Sequence, residues 1–413
     1  MRKAVFIMLA IIVAFIGEAL GDSIFATGGI GLAVPRPDGR SASMGVLGIG
    51  LADTTSVGSL NPALWAGTNL TRFSSGVEII RYNSRDLQDS DLTDQFVLPF
   101  TALGICLKPG LTLGFRFSPY TRMDTRLVEI ITLPPNDEYS VEEIYLLKGG
   151  VSLGSTILAV RLSEKIWAGA AVDLIFGSIY NIWRLNFFSG GGAYGTYTGS
   201  DALDSEFRLE QNLMGIRPRG GIYLPIGKVY SLGVFAAPPV KIDVEEKLEY
   251  WGVDSSRVIK SEMEFPAELG FGFCFPVRER VIGVFDFLWT GWKGDEQVIG
   301  NPAGYHESQT FALGVEFEPL TDPLESWLKR TYYRTGINFS NLYYQVPAGK
   351  TVLEYSLNLG AGLPVPAGYG RMDLNFTLGK RGELNINGAD ETFFKFGVYI
   401  STGERWFLRK KKY

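Results

Sequence analysis

Residues 40 to 66 read RSASMGVLGIGLADTTSVGSLNPALWA. Glycine and serine are so frequent here that a stable helix is disfavoured, and the apolar residues do not alternate as they would in a regular strand. The Asn61-Pro62 step favours a turn, because proline disfavours the helical conformation of the preceding residue. From about residue 70 onward, the chain resembles a long series of strands. We therefore predict an N-terminal plug, residues 22–69, inside a barrel formed by residues 70–413.

The evidence for the barrel is an alternation with a period of two, which places successive side chains on opposite faces of a sheet. In residues 111–118, LTLGFRFS, odd positions are apolar and even positions are small or polar. Residues 281–287, VIGVFDF, place Asp286 on the face opposite two phenylalanines. Runs of ten or more residues suit tilted transmembrane strands. A soluble sandwich would also alternate, but with its polar face outward.

The alternation defines fourteen candidate strands, an even number as closure of an antiparallel bacterial barrel requires. We place them at residues 71–83, 94–108, 110–120, 145–162, 165–184, 206–225, 228–246, 258–276, 279–292, 305–318, 331–345, 350–363, 369–380 and 391–403. The polar inserts 122–144 and 187–204 are interpreted as extracellular loops. Segment 319–332 could form a short amphipathic helix. The predicted fold is all-β, an antiparallel transmembrane barrel with a plug in its lumen.

The N-terminus has the features of a secretory signal peptide. A basic start, Met1-Arg2-Lys3, precedes an apolar run over residues 4–17 that is too short to span a membrane as a helix. Small residues at 19–21 predict cleavage before Asp22, so the signal peptide comprises residues 1–21. The alternative is a buried N-terminal helix.

The stretch from residue 40 also carries a family resemblance. Its motif residues are Arg40, Ser41, Met44, Gly45, Asp53, Asn61, Pro62 and Ala63. As a set they resemble the opening signature of FadL-type outer-membrane transport proteins and of the related Por-type barrels associated with type IX secretion. The family pattern usually has a second aspartate after the first, where this chain has Thr54. The resemblance itself implies fourteen strands, a cell outer-membrane location and a ligand released sideways through a gap at a kinked strand. Pro119 is the candidate for that kink, because proline removes a ladder hydrogen bond.

Charged residues on the polar rows of the strands are expected to line the lumen. The candidates are Arg116, Asp173, Asp286, Glu316, Arg334, Glu354, Arg371, Asp373 and Lys395. We expect them to hold the plug or one another rather than to perform acid–base chemistry. Because Asp286 is then a lumenal charge, replacing it with leucine should be tolerated better than Phe287→Arg, which places a charge in lipid.

The Asn61-Pro62-Ala63 tripeptide is expected to contact the inner wall near the third strand. Its amide would satisfy backbone groups freed at Pro119, although it could instead be only a connector.

Catalytic and metal-binding patterns are missing from the sequence. It contains one histidine, His306, and two distant cysteines, Cys106 and Cys274, both expected to point into the lumen. We therefore expect no enzymatic activity, no cofactor and no metal. The formal net charge of −5 argues against a nucleic-acid partner, which would need a basic face.

Two functions remain open. The first, implied by the resemblance, is passive uptake of hydrophobic or amphipathic small molecules through a plugged barrel. The second is a non-transporting Por-type barrel that binds secreted protein cargo or a secretion machine. A compact lumen with opposed charges and no long apolar tunnel would favour the second. Outer-membrane lipid is an expected partner in both cases.

Overall fold

A computed structural model describes residues 21–133, 139–189, 205–227, 230–250, 257–293, 305–320, 322, 324–346, 350–365 and 370–406. Apart from Gly21, the predicted signal peptide lies outside the described residues, as does most of the predicted loop at 187–204.

The wall is a closed antiparallel barrel of fourteen strands, which confirms the predicted fold class and strand number. Four strands are interrupted once and are labelled in two parts. In chain order the strands are β1 (Thr71–Asp86), β2a (Ser90–Val97) and β2b (Thr101–Lys108), β3a (Leu111–Pro119) and β3b (Thr121–Leu133), β4 (Tyr139–Ser163), β5 (Ile166–Ser189), β6 (Ser205–Ile226), β7a (Tyr230–Ala237) and β7b (Val240–Tyr250), β8a (Arg257–Phe265) and β8b (Ala267–Arg278), β9 (Val281–Gly291), β10 (Ser308–Phe317), β11 (Tyr332–Gln345), β12 (Thr351–Pro364), β13 (Arg371–Arg381) and β14 (Ala389–Glu404). Strand β14 pairs with β1 along its whole length and closes the barrel.

The apolar rows of the strands face outward. In β10, Phe311 and Leu313 are exposed, whereas the alternate residues Ala312 and Glu316 are buried. Adjacent strands repeat this pattern, with Ile337 exposed beside buried Arg334 in β11. The barrel thus has the inverted arrangement of a membrane protein, with apolar residues toward lipid and polar residues toward the lumen.

Among the described strands the wall has one seam, a gap in the strand pairing between β2a and β3b. Below it, β2b pairs with β3a, but above it β2a pairs with β1 and β3b pairs with β4. Within the described strands, no ladder joins β2a to β3b. The seam begins where β3 is interrupted, directly after Pro119, so the position predicted for a kink is where the ladder changes.

Above the seam's start, six strand portions form an extended sheet. Strand β4 has 25 residues and β5 has 24, whereas β10 has 10. Since a tilted strand crosses the bilayer in about 9–11 residues, β3b, β4, β5, β6, β7b and β8a continue well beyond it. Residues 122–144 were predicted as an extracellular loop, but their described part consists of paired strands, β3b and the start of β4, and their extracellular position stays a prediction. The β-branched run Val128-Glu129-Ile130-Ile131-Thr132 was the sequence signal for β3b.

Helical structure is sparse. The segment before β1 contains a 3-10 turn at Ile24–Thr27, a two-residue strand at Leu32–Ala33, an α-helical turn at Gly39–Ala42 and a 3-10 helix at Pro62–Gly67. A further α-helical turn, Leu384–Asn387, precedes β14. The amphipathic helix considered for 319–332 was wrong: residues 324–331 form turns and bends. Among the described residues, no helix is both long and apolar enough to cross a membrane.

Candidate functional site

The Asn61-Pro62-Ala63 tripeptide begins the last turn of helix before the barrel. The Asn61 side chain accepts a hydrogen bond from the Ala63 N–H at 3.1 Å and donates to the carbonyls of Ile49 at 3.0 Å and Ile222 at 3.1 Å. Pro62 lies so close to Gly169 of β5 that a Cβ there would approach its backbone to 2.3 Å. The tripeptide therefore contacts β5 and β6, and the expectation that it lies near the third strand was wrong. The residue that lies against β3a is Trp65, over Gly114.

Asp286 of β9 holds a loop of the segment through backbone groups. Its carboxylate accepts hydrogen bonds from the N–H groups of Leu47 at 2.9 Å, Gly48 at 2.7 Å and Ile49 at 3.3 Å. Asp286 is completely buried, so loss of the carboxylate would leave the three N–H groups without a hydrogen-bond partner, at a cost in free energy. The alternation that predicts a lumenal Asp286 gives no information on its partners.

A first ionic network joins the segment to β10, β11 and β13. Its members alternate in sign, in the order Asp53, Arg371, Asp373, Arg334, Glu316 and Arg40, and successive partners lie 2.5–2.8 Å apart. Burial alone would raise the pKa of Asp53, but Arg371 and Arg40 outweigh it and hold that pKa well below its ordinary value. The network contains two residues of the sequence motif, Arg40 and Asp53, and four of the predicted lumenal charges.

The other motif residues pack between this network and the wall. The Ser41 N–H donates to the Asp38 carboxylate, which caps the helical turn, at 2.9 Å. Met44 is buried against Gly314 and Gly336. Gly45 has a φ of 69°, a conformation that favours glycine, and a Cβ there would also collide with Asn358.

A second network joins the segment to β5, β6 and β8b. Arg36 pairs with Glu268, which also accepts from Arg217 at 3.1 Å. Asp173 then joins Arg217 at 3.5 Å and Arg219 at 2.9 Å. Sequence reasoning identified Asp173 but missed the other four residues, of which Arg217 and Arg219 alternate along β6 and could have been found there.

The remaining predicted lumenal residues contact the segment or adjacent wall strands. Arg116 donates to the Arg36 carbonyl at 2.7 Å. Glu354 pairs with Arg381 at 2.7 Å, and Lys395 lies 3.5 Å from Glu78. Arg381 also donates to Ser23 at 2.8 Å, which brings this group to the start of the segment.

The upper lumen contains an apolar chamber that the chain itself fills. Phe25, Ala26, Ile30 and Leu32 are buried there. Surrounding them are buried wall residues, among them Tyr120, Ile175, Ile179, Leu213, Ile242, Phe265, Trp292, Tyr343 and Tyr344. The Trp292 and Tyr343 rings stack with centroids 4.1 Å apart, and the Tyr343 hydroxyl donates to the Gly31 carbonyl at 2.6 Å.

The same stretch bridges the seam. On the β2a side, the Thr93 hydroxyl donates to the Asp22 carbonyl at 3.5 Å. On the β3b side, the Asp22 N–H donates to the Asp124 carbonyl at 2.6 Å, and Leu32–Ala33 pairs antiparallel with Thr121 and Arg122. The Tyr120 carbonyl, at the interruption itself, accepts from the Val34 N–H at 2.9 Å. Backbone groups freed beside Pro119 are thus satisfied from inside by residues 22–34, not by Asn61.

Space inside the described lumen is limited. Two small cavities beside the segment have volumes of about 60 and 90 Å³. Asn338 and Glu354 line both of them, so the two cavities adjoin along the inner face of β11 and β12. Cys106 and Cys274 are both free thiols.

Known structures share this architecture. A Pseudomonas aeruginosa FadL homologue aligns with a TM-score of 0.62 at 12% identity, over 90% of this chain and 99% of that one. The CymD monoaromatic hydrocarbon channel aligns with a TM-score of 0.54 at 13% identity, over 92% of this chain and 100% of its own. The Pseudomonas putida toluene transporter TodX gives a TM-score of 0.52 at 12% identity, over 91% and 100%. At such identities the likeness establishes the fold.

A comparison of the sequence with protein-family models identifies the family of this chain. No curated protein matches it. The family model described as BamG matches residues 1–202 and 240–413, which is most of the chain. The chain therefore belongs to the BamG family and is a FadL-type β-barrel of the outer membrane.

Proposed function

We propose that this barrel carries hydrophobic or amphipathic small molecules passively across the outer membrane. In this proposal residues 22–69 act as a plug, and residues 22–34 are the part that must move. The observation that carries the proposal is that this one stretch both fills the apolar chamber and bridges the seam between β2a and β3b. A single displacement would therefore empty a binding chamber and open a sideways exit from it.

The chemistry of the chamber indicates the class of ligand. Phe25, Ile30 and Leu32 are apolar side chains inside a ring of aromatic and aliphatic wall residues. A ligand that replaces them must cover the same apolar surface, at about 25 cal/mol per Å², or leave it exposed to water. The names of the structural neighbours, a monoaromatic hydrocarbon channel and a toluene transporter, support the same class.

The two parts of the segment differ in how they are held. Residues 36–67 are attached through two alternating ionic networks, the Asp286 carboxylate and the packing of Pro62 and Trp65. Breaking a buried ion pair by separating its partners costs several kcal/mol. Residues 22–34 are held by apolar contacts and backbone hydrogen bonds, by the Asp22–Arg122 ion pair at 3.1 Å, and by hydrogen bonds of Ser23 with Glu391 and Arg381. They have one ion pair in place of two networks, and a hydrophobic ligand and solvent can replace most of their other contacts. Movement is therefore assigned to this first part.

A disulfide across the seam tests the proposal. Ala33 and Thr121 lie directly opposite each other in an antiparallel pair. Such pairs have Cα atoms about 4.5–5.5 Å apart, within the range of about 4.4–6.8 Å that a disulfide requires. Ala33→Cys with Thr121→Cys, in a background where Cys106 and Cys274 are alanine, would fix residues 22–34 to the wall.

The assay is accumulation of radiolabelled oleate and naphthalene by cells that express the variant and lack their own FadL-type proteins. We expect uptake to fall to the vector-control level under oxidising conditions and to recover on reduction. The single variants Ala33→Cys and Thr121→Cys should transport in both conditions. Equal uptake by the oxidised and reduced double variant would contradict the proposed movement.

A second candidate is a non-transporting barrel that binds a secreted protein or a secretion machine. The compact lumen favours it, because cavities of about 60 and 90 Å³ are far below the roughly 300–1,000 Å³ of small-molecule sites. The same assay distinguishes the candidates. A reduced double variant and a wild-type protein that both fail to exceed the vector control would favour this second function.

A further inference from the structure

A groove crosses the outer face of the wall from β9 to β14. Its volume is about 810 Å³, and two parallel rows of outward side chains form its sides. Within a row, successive residues lie directly opposite each other on neighbouring strands, so they share one face of the sheet. The first row is Phe285, Leu313, Ile337, Leu357 and Leu378, and the second is Phe311, Phe339, Tyr355, Lys380 and Thr392.

The groove runs from the upper end of the strands toward the middle of the wall. At its upper end, Lys380 is the next-to-last residue of β13, just before the turn at Leu384–Asn387. At its lower end, Phe285 lies near the middle of β9. Strands lie about 4.8 Å apart, so the second row, from β10 to β14, is roughly 19 Å long. The acyl chains of one leaflet span about 15 Å, half of the hydrocarbon core, so the groove is long enough for such a chain.

The position of the groove determines which molecules reach it. Its two rows belong to the apolar face of the barrel, with Leu313 and Ile337 both exposed, and this face meets lipid. The volume lies within the roughly 300–1,000 Å³ of small-molecule sites. The occupant that fits both the surroundings and the shape is therefore a membrane lipid.

Two cations share one carboxylate at the upper end of the groove. The Lys380 side chain is 44% exposed and lies 3.7 Å from the Asp390 carboxylate. Arg85, 57% exposed, pairs with the same carboxylate at 2.9 Å. The hydroxyl-bearing Tyr355 and Thr392 lie directly opposite Lys380 on the two neighbouring strands. An anion with several acceptor oxygens complements this set of donors, and a phosphate has that chemistry.

Two further carboxylates lie farther from this set. Asp86 lies three residues beyond Asn83, the β1 residue at the level of Lys380, which is about 10 Å along the strand. Glu383 lies in the turn after β13. Among the described residues, neither pairs with Lys380 or Arg85, whose ionic partner is Asp390.

The outer face of β7b and β8a lacks this combination. Lys241 and Lys260 are exposed there, but each pairs with a glutamate, Glu262 and Glu245 respectively. Glu264 lies opposite Lys241 and is also exposed, so carboxylates outnumber the two lysines. This face provides lysines that serve as controls for a general effect of positive charge.

We propose that the groove between the two rows binds one anionic lipid, with an acyl chain along the rows and a phosphate at Lys380. The chain covers apolar side chains of β9 to β13, and the Lys380 ammonium pairs with the phosphate as a point charge. Arg85 adds a second charge from β1. The phosphate can belong to a phospholipid or to lipid A, since both carry phosphate next to acyl chains.

Native mass spectrometry of the detergent-purified barrel tests the site. The probes are phosphatidylglycerol, lipid A and diacylglycerol, which has no phosphate, together with glycerol phosphate, which has no acyl chain. We expect one phosphatidylglycerol or lipid A to bind at least fivefold more tightly than diacylglycerol, since a lysine near a membrane surface contributes about this factor. Glycerol phosphate should not displace it. The tighter of the two anionic lipids identifies the source of the phosphate.

Variants at the upper end test the phosphate contact. Lys380→Gln should reduce the preference for the anionic lipids by about fivefold, whereas Lys241→Gln should leave it unchanged. Asp390→Asn removes the competing carboxylate and should strengthen the preference.

A variant in the groove tests the acyl chain. Ile337→Trp should fill the groove and weaken binding of all three lipids. Its matched control is Ile222→Trp on β6, because Ile337 is 56% exposed and Ile222 52%, both on the outer face. The wild-type comparison of the four probes remains decisive if a variant fails to fold.

Equal affinity of the wild type for phosphatidylglycerol, lipid A and diacylglycerol would overturn the proposal. Equal effects of Lys380→Gln and Lys241→Gln, or of Ile337→Trp and Ile222→Trp, would also overturn it, because lipid would then cover the wall without a defined site. Displacement by glycerol phosphate would indicate a site for free phosphate instead. The inference does not depend on transport, and oleate uptake by Lys380→Gln should match that of the wild type. Loss of uptake in Ile337→Trp with unchanged lipid binding would assign the groove to transport and contradict the proposal.

Discussion

Asp286→Leu is expected to release the loop at residues 47–49 while leaving the barrel wall intact. The carboxylate accepts three backbone hydrogen bonds at 2.7–3.3 Å in a completely buried site. A buried donor left unpaired costs about 1–3 kcal/mol, so three donors give roughly 3–9 kcal/mol before relaxation. Local rearrangement reduces this cost, and we expect about 3 kcal/mol, the lower end of that range. Asp286→Asn keeps one acceptor oxygen and should cost less.

This expectation removes the ranking suggested by the sequence, in which Asp286→Leu is the milder change. Phe287→Arg places a charge in lipid at about 2–4 kcal/mol near the midplane. The cost of Asp286→Leu is of the same size, so it should not be the milder change. The two substitutions should differ in what they disturb, since Phe287 faces outward and packs on Phe311 with ring centroids 4.8 Å apart.

The assay is limited proteolysis of the N-terminal segment in folded, detergent-purified barrel, combined with the urea midpoint of the folded gel band. Asp286→Leu should expose residues 22–69 to protease, with Asp286→Asn intermediate. The control is Asp390→Asn, the same chemical change at a carboxylate paired with exposed Arg85 on the outer face, which should have little effect. Wild-type protection of the segment in both Asp286 variants would refute the reasoning.

Three further outcomes are expected. Burial by itself would raise the pKa of Asp53, but the nearby Arg371 guanidinium outweighs burial and lowers that pKa. The ionised Asp53 carboxylate therefore stabilises the docked segment at neutral pH, and this stabilisation is lost as the pH falls through the depressed pKa. Arg371→Gln should therefore lower protease protection of the segment already at neutral pH and flatten its pH dependence, whereas the wild type should lose protection only as the pH falls below about 4, near the ordinary pKa of aspartate. Gly169→Val should displace Pro62, because a Cβ at that position meets the proline backbone at 2.3 Å, and a shift in tryptophan fluorescence would report it. Leu313→Arg should lower the free energy of unfolding, measured from the urea midpoint, by about 2–4 kcal/mol without exposing the segment. A change in proteolysis of the segment would contradict the outward orientation of Leu313.

The strands were predictable because the alternation of apolar and polar residues is visible within each strand's own sequence. Alternation in β10 or β13 depends only on which face of the strand meets lipid, and no distant residue is needed to detect it. The same alternation predicts which face of the sheet each side chain takes, and Asp286, Glu316 and Arg371 are all buried.

Partners within the lumen were not predictable. Whether Asn61 meets β3 or β5 depends on how the segment winds inside the barrel, and the local sequence does not specify that path. Arg36 and Glu268 are 232 residues apart in sequence, and no local pattern links them. The seam is an absence of pairing between β2a and β3b, and the sequence of each of these strands gives no sign that it lacks a neighbour. Pro119 marked its position, but nothing nearby identified Leu32–Ala33 as its inner partner.

The 3-10 helix at Pro62–Gly67 ends only a few residues before β1 begins at Thr71, so the segment is tied directly to the wall. If residues 22–34 were displaced, they would consequently remain a tethered competitor for the chamber. Short tethers give effective concentrations of the order of millimolar. A molecule that weakly occupies the chamber would be expelled soon after entry, and the barrel would reseal without any external signal. Such self-competition favours brief occupancy, and thus passage, over storage of the ligand.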